Sequence, residues 1–274
     1  MEAWMIALLI ISGILLVLFA AYLMLIAPSK HKDMKKYSKI KFAHRGLHGE
    51  GRAENSMSAF KAAVEAGYGI ELDVRLSGDG ELVVFHDDTL NRVVGIDGRV
   101  DEYTADQLAD FKLSGTDDGI PRFSQVLEAV GGRVALLVEI KEDAGNHAVS
   151  EKTAQMLADY DGPYIIESFN PLSLATVSKR LPRVPRGILS HKYYAFEQYR
   201  KPLYFLLQCL LFNRVCKPAF IAYDHRHAGC ISLRVARLMG AVTVAWTVKS
   251  AEDEAAAYKN GFDTVIFEGY LPEK

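Results

Sequence analysis

The chain has 274 residues, half of them hydrophobic and 24% charged, with 32 basic side chains against 34 acidic ones and only three cysteines. That balance excludes an intrinsically disordered chain, and the length excludes a small domain dependent on disulfide staples. Six lysines and one aspartate over 29–41 make that stretch strongly basic, so everything from residue 42 onward is mildly acidic, which argues against a nucleic-acid partner.

Residues 3–27 carry no charge and consist chiefly of Leu, Ile, Val, Ala, Phe and Met, interrupted by Ser12, Gly13 and Tyr22. As a helix this run would rise about 37 Å, enough to span a hydrocarbon core of about 30 Å with some tilt. A cleaved signal peptide is the rival reading. It calls for a positive n-region and a shorter apolar core, whereas only Met1 and Glu2 precede this run. Lys30, Lys32, Lys35, Lys36, Lys39 and Lys41 follow, and the positive-inside rule then places the rest of the chain on the cytoplasmic side, with anionic membrane lipids as a second partner for the same lysines. The expected division is therefore a single-pass transmembrane anchor at 1–28, a basic juxtamembrane linker at 29–39 and one catalytic domain at 40–274. Cys209, Cys216 and Cys230 are odd in number, as expected of reduced thiols, and read as apolar packing.

After the linker, β-rich runs at 40–44, 69–74, 81–86, 134–140, 164–169, 186–190, 220–224, 242–248 and 264–267 alternate with helical patterns at 56–66, 123–130, 147–159, 172–179, 231–239 and 251–259. Repeated βα units predict parallel strands with helices outside, and a closed (β/α)8 TIM barrel is preferred to an open doubly wound sheet because no glycine-rich nucleotide fingerprint follows the first strand. Nine strand candidates do not fit eight places. The link from Val74 to Glu81 is too short for a crossover helix, so one of those two runs is an extended return or an irregular strand.

Charged residues are costly inside apolar strands and mark the chemistry. Alternation puts Glu71 and Asp73 on one face of their strand, with Ile70, Leu72 and Val74 on the other. Glu139 and Lys141 repeat the device, and His44 and His86 end their runs. At the C-terminal mouth of a barrel three carboxylates would repel one another unless a divalent cation joined them, and all-oxygen ligands favour Mg²⁺ or Ca²⁺. Two histidines suit proton exchange with attacking and leaving oxygens, and Arg45 with Lys141 suits a phosphate. Together these describe phosphate-ester cleavage. The bland alternative pairs each carboxylate with Arg75 or Lys141. His48, His147, His191, His225 and His227 read as surface or packing residues.

The motifs His44-Arg45-Gly46, Glu54-Asn55-Ser56, Glu71-Leu72-Asp73-Val74, Asp79-Gly80, Val84-Phe85-His86-Asp87, Ile120-Pro121, Glu139-Ile140-Lys141, Ser168-Phe169 and Trp246-Thr247-Val248, in that order, make 41–272 resemble the glycerophosphodiester phosphodiesterase family. The resemblance implies a (β/α)8 barrel, a divalent ion and hydrolysis of glycerophosphodiesters to glycerol 3-phosphate and an alcohol. It implies Glu71, Asp73 and Glu139 as metal ligands and His44 and His86 as the acid–base pair. It further implies Arg45 and Lys141 at the phosphate, Glu54 and Asn55 as a supporting motif near the metal, and Trp246 on the glycerol side. Ala53, Lys249 and the Phe267-Glu268 pair depart from the family pattern; none is expected to touch the metal or the two histidines, and they are expected to bear on alcohol specificity more than on catalysis.

Residues 191–217 interleave Tyr193, Tyr194, Phe196, Tyr199, Tyr204, Phe205 and Phe212 with Lys192, Arg200, Lys201, Arg214 and Lys217. This insertion reads either as an interfacial helix or hairpin admitting lysophospholipids or other membrane-borne diesters, or as a helix packed on the barrel. The expected function is metal-dependent glycerophosphodiester hydrolysis. The alternatives are a lysophospholipase D-type phosphodiesterase and, from another class, a catalytically silent membrane-anchored binding scaffold. No sequence feature assigns an oligomeric state.

Overall fold

The computed structural model describes residues 2–142 and 145–273, so Met1 and Lys274, the outer ends of the expected division, lie outside the described residues. The strands are β1 (Phe42–Ala43), β2 (Gly69–Leu76), β3 (Leu82–Val84), β4 (Leu136–Ile140), β5 (Tyr164–Ser168), β6 (Arg186–Ser190), β7 (Phe220–Asp224), β8 (Val242–Val248) and β9 (Thr264–Phe267). Eight of them, in the order β1-β2-β4-β5-β6-β7-β8-β9, are parallel neighbours, and β9 returns to β1 to close the barrel. The expected (β/α)8 barrel is what forms.

The ninth candidate is β3, which is antiparallel to β2 with Val74 opposite Val84 and Leu76 opposite Leu82. Ser77–Gly80 closes this hairpin through Ser77 N–H to the Glu81 carbonyl and Gly80 N–H to the Ser77 carbonyl, which is why no crossover helix is needed. Because β1 has only two paired residues, the edge of β2 beyond Ile70 is free, and β3 occupies it. The expected strand at 81–86 is thus shorter, and His86 sits beyond it in the loop. Likewise the first strand ends at Ala43, one residue before His44.

The six expected helical segments appear as Met57–Ala66, Phe123–Val130, Ala148–Ala158, Pro171–Arg180, Ile231–Leu238 and Ala251–Lys259. They cover the outward apolar residues of the strands, including Ile70, Leu72, Val74, Val138 and Ile140. Inside the barrel, Phe42, Leu137, Ile165, Phe220, Val244 and Ile266 form a separate dry cluster. Met34 and Tyr37, from the helical turn Met34–Tyr37, are buried in that same cluster, so part of 29–39 packs against the barrel. The N-terminal helix Ala3–Ile26 is long and apolar enough to cross a membrane, and its side chains are exposed until its last turns. The segment 191–217 breaks into short helical pieces, the longest being Pro202–Gln208, followed by Asn213–Cys216.

Gly187 on β6 lies in register with Phe220 on β7, and a Cβ built there would overlap the Phe220 ring. A Cβ built at Gly229 meets nothing within 4 Å among the described residues. Gly187→Ala is therefore expected to lower the unfolding free energy by about 1–3 kcal/mol through overpacking, while Gly229→Ala stays within about 0.5 kcal/mol, as measured by denaturant titration of the two variants. Equal effects would show that the interior does not rest on this contact.

Candidate active site

Strand alternation brings the acids together. On β2, Glu71 and Asp73 point into the barrel mouth while Ile70, Leu72 and Val74 face the helices, and on β4 Glu139 does the same between Val138 and Ile140. Asp73 is directly opposite Glu139 across the parallel ladder. One carboxylate oxygen from each of Glu71, Asp73 and Glu139 lies within 4.8 Å of the other two, and all three side chains are buried.

Two cations reach this cluster. The Lys141 ammonium is 2.6 Å from Glu139 Oε1 and 3.2 Å from Asp73 Oδ1, and Arg45 Nε is 3.6 Å from Asp73 Oδ2. Arg75, the other expected partner, pairs instead with Asp88. Glu71 accepts the backbone N–H of Arg45 at 2.8 Å, and among the described residues no basic side chain forms an ion pair with it. Burial, then repulsion from Asp73 and Glu139, raises Glu71 well above the usual carboxylate range. Burial also pushes Glu139 up to about 7 in spite of Lys141. Burial opposes ionisation of Asp73 too, but Lys141, His86 and Arg45 hold its carboxyl well below the ordinary value. A buried set of oxygen donors with more acids than nearby bases fits a hard divalent ion, and these three carboxylates can hold one.

The surrounding residues fix the geometry. Arg45 and Asn55 both adopt positive φ, 54° and 52°, a backbone region that side chains other than glycine enter at a cost. The two positions are tied by the Asn55 N–H donating to the Arg45 carbonyl. The result aims the Asn55 amide at Asp73 Oδ2, 2.8 Å away, while Ser56 caps the helix Met57–Ala66 by accepting the Ala59 N–H. Glu54 accepts from Arg45 at 2.7 Å and from both terminal nitrogens of Arg92. Glu54 and Asn55 thus touch Arg45 and Asp73 and hold them in place.

Each expected histidine is gripped through Nδ1 by a carboxylate, His44 by Glu268 at 2.7 Å and His86 by Asp87 at 2.5 Å, leaving Nε2 for a ligand. Burial lowers His44, partly offset by the Glu268 hydrogen bond, and pushes His86 down to about 4 against the pull of Asp73. The His44 bond outweighs burial to hold Glu268 well below the usual range, with Lys249 at 2.9 Å helping. The departures Lys249 and Glu268 are therefore one paired feature that reaches His44 directly. His48, read as a surface or packing residue, stands beside them: its ring nitrogen lies within 4.8 Å of ligand atoms of His44 and Glu268.

Trp246 follows Ala245 on β8, with its ring 5.5 Å from Phe169 and 6.1 Å from His191, and its buried indole N–H has no hydrogen-bond partner among the described residues. His191 is thus part of an aromatic wall and not a surface residue. Glu167 on β5 is a fourth buried carboxylate, in register with Glu139 and raised by burial and then by Glu139 and Glu71. Like Glu71, it interrupts an apolar strand, Tyr164-Ile165-Ile166, a pattern already present in the sequence.

Similarity to known proteins covers most of the barrel. A glycerophosphodiester phosphodiesterase from Caldanaerobacter subterraneus is 37% identical over 158 residues, covering 54% of this chain and 65% of that protein. A rat lysophospholipase D is 29% identical over 158 residues, covering 52% of this chain and 49% of that protein. The chain thus matches just under two thirds of the first relative's length and about half of the second's. The crystal structure of a Thermotoga maritima glycerophosphodiester phosphodiesterase superposes with a TM-score of 0.65 at 26% identity, covering 83% of this chain and 93% of that one. An Oleispira antarctica phosphodiesterase solved with sn-glycerol-3-phosphate shares the fold, with a TM-score of 0.69 at 23% identity over 84% and 94% of the two chains. Residues 44–268, from the first histidine of the mouth to the carboxylate that grips it, match the glycerophosphoryl diester phosphodiesterase family, and the chain belongs to that family.

Proposed function

We infer that the protein hydrolyses glycerophosphodiesters to glycerol 3-phosphate and an alcohol with one divalent cation, Mg²⁺ or Ca²⁺, held by Glu71, Asp73 and Glu139. The observation that carries this reading is the buried acidic cluster within 4.8 Å, flanked by Lys141 and Arg45. The ion, when bound, offsets the negative charge that develops on the phosphoryl oxygens. Arg45 and Lys141 bind the phosphate, and Glu54 and Asn55 keep Arg45 and Asp73 in register for it.

His44 and His86 move the protons. Both are lowered by burial and so are neutral near pH 7, with Nε2 free to accept. The negative charge of an arriving phosphodiester favours uptake of a proton by one of them; that histidine, protonated at Nε2, delivers this proton to the departing alcohol oxygen, while the other, still neutral, takes the proton of the attacking oxygen. Trp246 lines the glycerol side, where its unpaired indole N–H offers a donor to a hydroxyl. A binding scaffold would not need two histidines each oriented by its own carboxylate. The domain division follows: an N-terminal helix anchoring the chain in a membrane at 1–28, the basic segment 29–39, and the barrel at 40–274 on the cytoplasmic side, supported by the helix Ala3–Ile26 and the lysines after it.

His44→Ala and His86→Ala should each lower kcat on glycerophosphocholine by about 10²-fold or more with the thermal midpoint unchanged, and a near-normal rate in either would remove that histidine from proton transfer. The acidic cluster makes a second prediction. Because burial raises Glu71 and pushes Glu139 up to about 7, a cation entering among them competes with protons and displaces them. Apparent affinity for Mg²⁺ or Ca²⁺ should therefore fall about tenfold per pH unit below 7 for each proton released. Calorimetry in buffers of different ionisation enthalpy measures that release, and a pH-independent affinity from 5.5 to 7.5 would take the ion away from these carboxylates.

A further inference from the structure

The barrel mouth carries a second group of metal-ligating side chains, different in chemistry from the acidic cluster. His44, His48 and Glu268 each offer one ligand atom within 4.8 Å of the other two, and all three residues are half-buried. The backbone brings them together. β1 and β9 are parallel neighbours with Ala43 opposite Phe267, so His44 and Glu268, the next residue of each, stand side by side, and the His44 N–H donates to the Phe267 carbonyl at 2.9 Å. Arg45 and Gly46 follow with φ of 54° and 81°, two left-handed residues in succession that turn the chain, and the Leu47 N–H is tied to the Ala59 carbonyl at 3.0 Å. A reciprocal backbone pair between Gly49 and Arg52, both bonds at 3.0 Å, closes the loop just beyond His48 and holds it beside His44.

The His48 ring is placed there without an evident structural purpose. Its Nε2 is buried and has no hydrogen-bond partner among the described residues, an arrangement that is costly unless something else supplies the partner. Glu268 holds His44 Nδ1 at 2.7 Å through one oxygen and Lys249 at 2.9 Å through the other. The Lys249 side chain is 63% exposed, so its ammonium can turn into water and release that oxygen. Two imidazole nitrogens and one carboxylate oxygen suit zinc or a related transition ion with a water in the fourth position, and suit Mg²⁺ or Ca²⁺ poorly. Glu71, Asp73 and Glu139 offer oxygen alone and have the opposite preference.

We propose that His44, His48 and Glu268 form a separate transition-metal site, and that zinc bound there silences the enzyme by withdrawing His44 from proton transfer. The effect on turnover rests on the phosphodiesterase reading; the binding does not. Whichever ring nitrogen of His44 takes the ion, proton exchange is lost. On Nε2 the lone pair is used, and on Nδ1 the ring's proton is confined to Nε2, which then has no lone pair to receive another. The acidic cluster keeps its own ion throughout, so raising Mg²⁺ does not relieve the inhibition.

The test uses the untagged full chain in detergent micelles with saturating Mg²⁺, glycerophosphocholine as substrate and free Zn²⁺ set by a metal buffer. Co²⁺ is the optical probe for the site, because four-coordinate cobalt absorbs in the visible and Mg²⁺ does not. Wild type should be inhibited by zinc to the same extent when Mg²⁺ is raised about tenfold, and should show the cobalt band. His48→Ala should cleave at the wild-type rate without zinc, need about tenfold or more zinc for half-inhibition, and lose the band. His48→Gln, which keeps a polar side chain in the loop, should behave alike and serves where alanine disturbs folding. Equal zinc sensitivity in wild type and both variants, or relief of the wild type by Mg²⁺, puts the zinc among Glu71, Asp73 and Glu139 and overturns the site. A wild type that zinc leaves at full rate overturns it too. In each of these the phosphodiesterase reading stands, since the uninhibited rate comes from the same assay. If no diester is cleaved but the cobalt band appears in wild type and not in His48→Ala, the metal site stands and the catalytic reading falls.

Discussion

The site is organised by an excess of buried negative charge. Glu71, Asp73 and Glu139 converge within 4.8 Å, and Glu167 stands in register beside Glu139 on the next strand. Lys141 is shared between Asp73 and Glu139, and Arg45 is shared between Asp73 and Glu54. Two divided cations do not neutralise four buried carboxylates, so either protons or an added cation must complete the balance. The raised Glu71 and Glu139 represent the first solution, and a bound ion represents the second. A core packed with hydrophobic residues of the same volume would fold more easily, so the arrangement is intelligible only as one that captures something.

Holding that charge in place takes a frame of its own. The parallel register of β2 and β4 puts Asp73 opposite Glu139 without any side-chain help. Arg45 and Asn55 are different: each occupies the left-handed region without being glycine, and each is kept there by what it bonds. Strain of this kind persists only where the surroundings over-determine it. Here the backbone of Arg45 serves Glu71, its side chain reaches toward Asp73, and Glu54 with Arg92 closes the outer edge.

What could be read from the sequence followed from periodicity. Alternation in Gly69–Leu76 and Leu136–Ile140 placed the acids inside, and the βα repeats led to a closed barrel, because both depend on neighbours along the chain. The short link between Val74 and Glu81 already signalled that one strand was irregular, though only the coordinates show β3 filling the edge left by the two-residue β1. The grip of Glu268 on His44 spans 224 positions, and no local pattern announces such a pair. His191 packs, as one of its two readings had it, while the place of His48 beside His44 and Glu268 depends on neighbours brought by other strands. Glu167 is the exception: it carried the same sign as Glu71 and was overlooked.

The direction of the N-terminal helix along the barrel ties these observations together. Its contacts run from Tyr22 with Ser232 at the mouth, just after β7, through Ile26 with Asn213, to Ser29 with Pro218 at the base, just before β7, so the apolar helix extends past the catalytic end. The same insertion that supplies Asn213 to the helix also supplies Leu203, Leu207 and Phe212 to a cavity that starts at Glu139 and Lys141, and Phe205 to the outer surface. One stretch of sequence thus bonds the N-terminal helix, lines the apolar side of the cavity and carries the exposed Leu203, Phe205 and Leu206. Leu203, Phe205 and Leu206 are exposed together on the side past which the apolar helix extends, an apolar patch of the kind that marks an interaction surface.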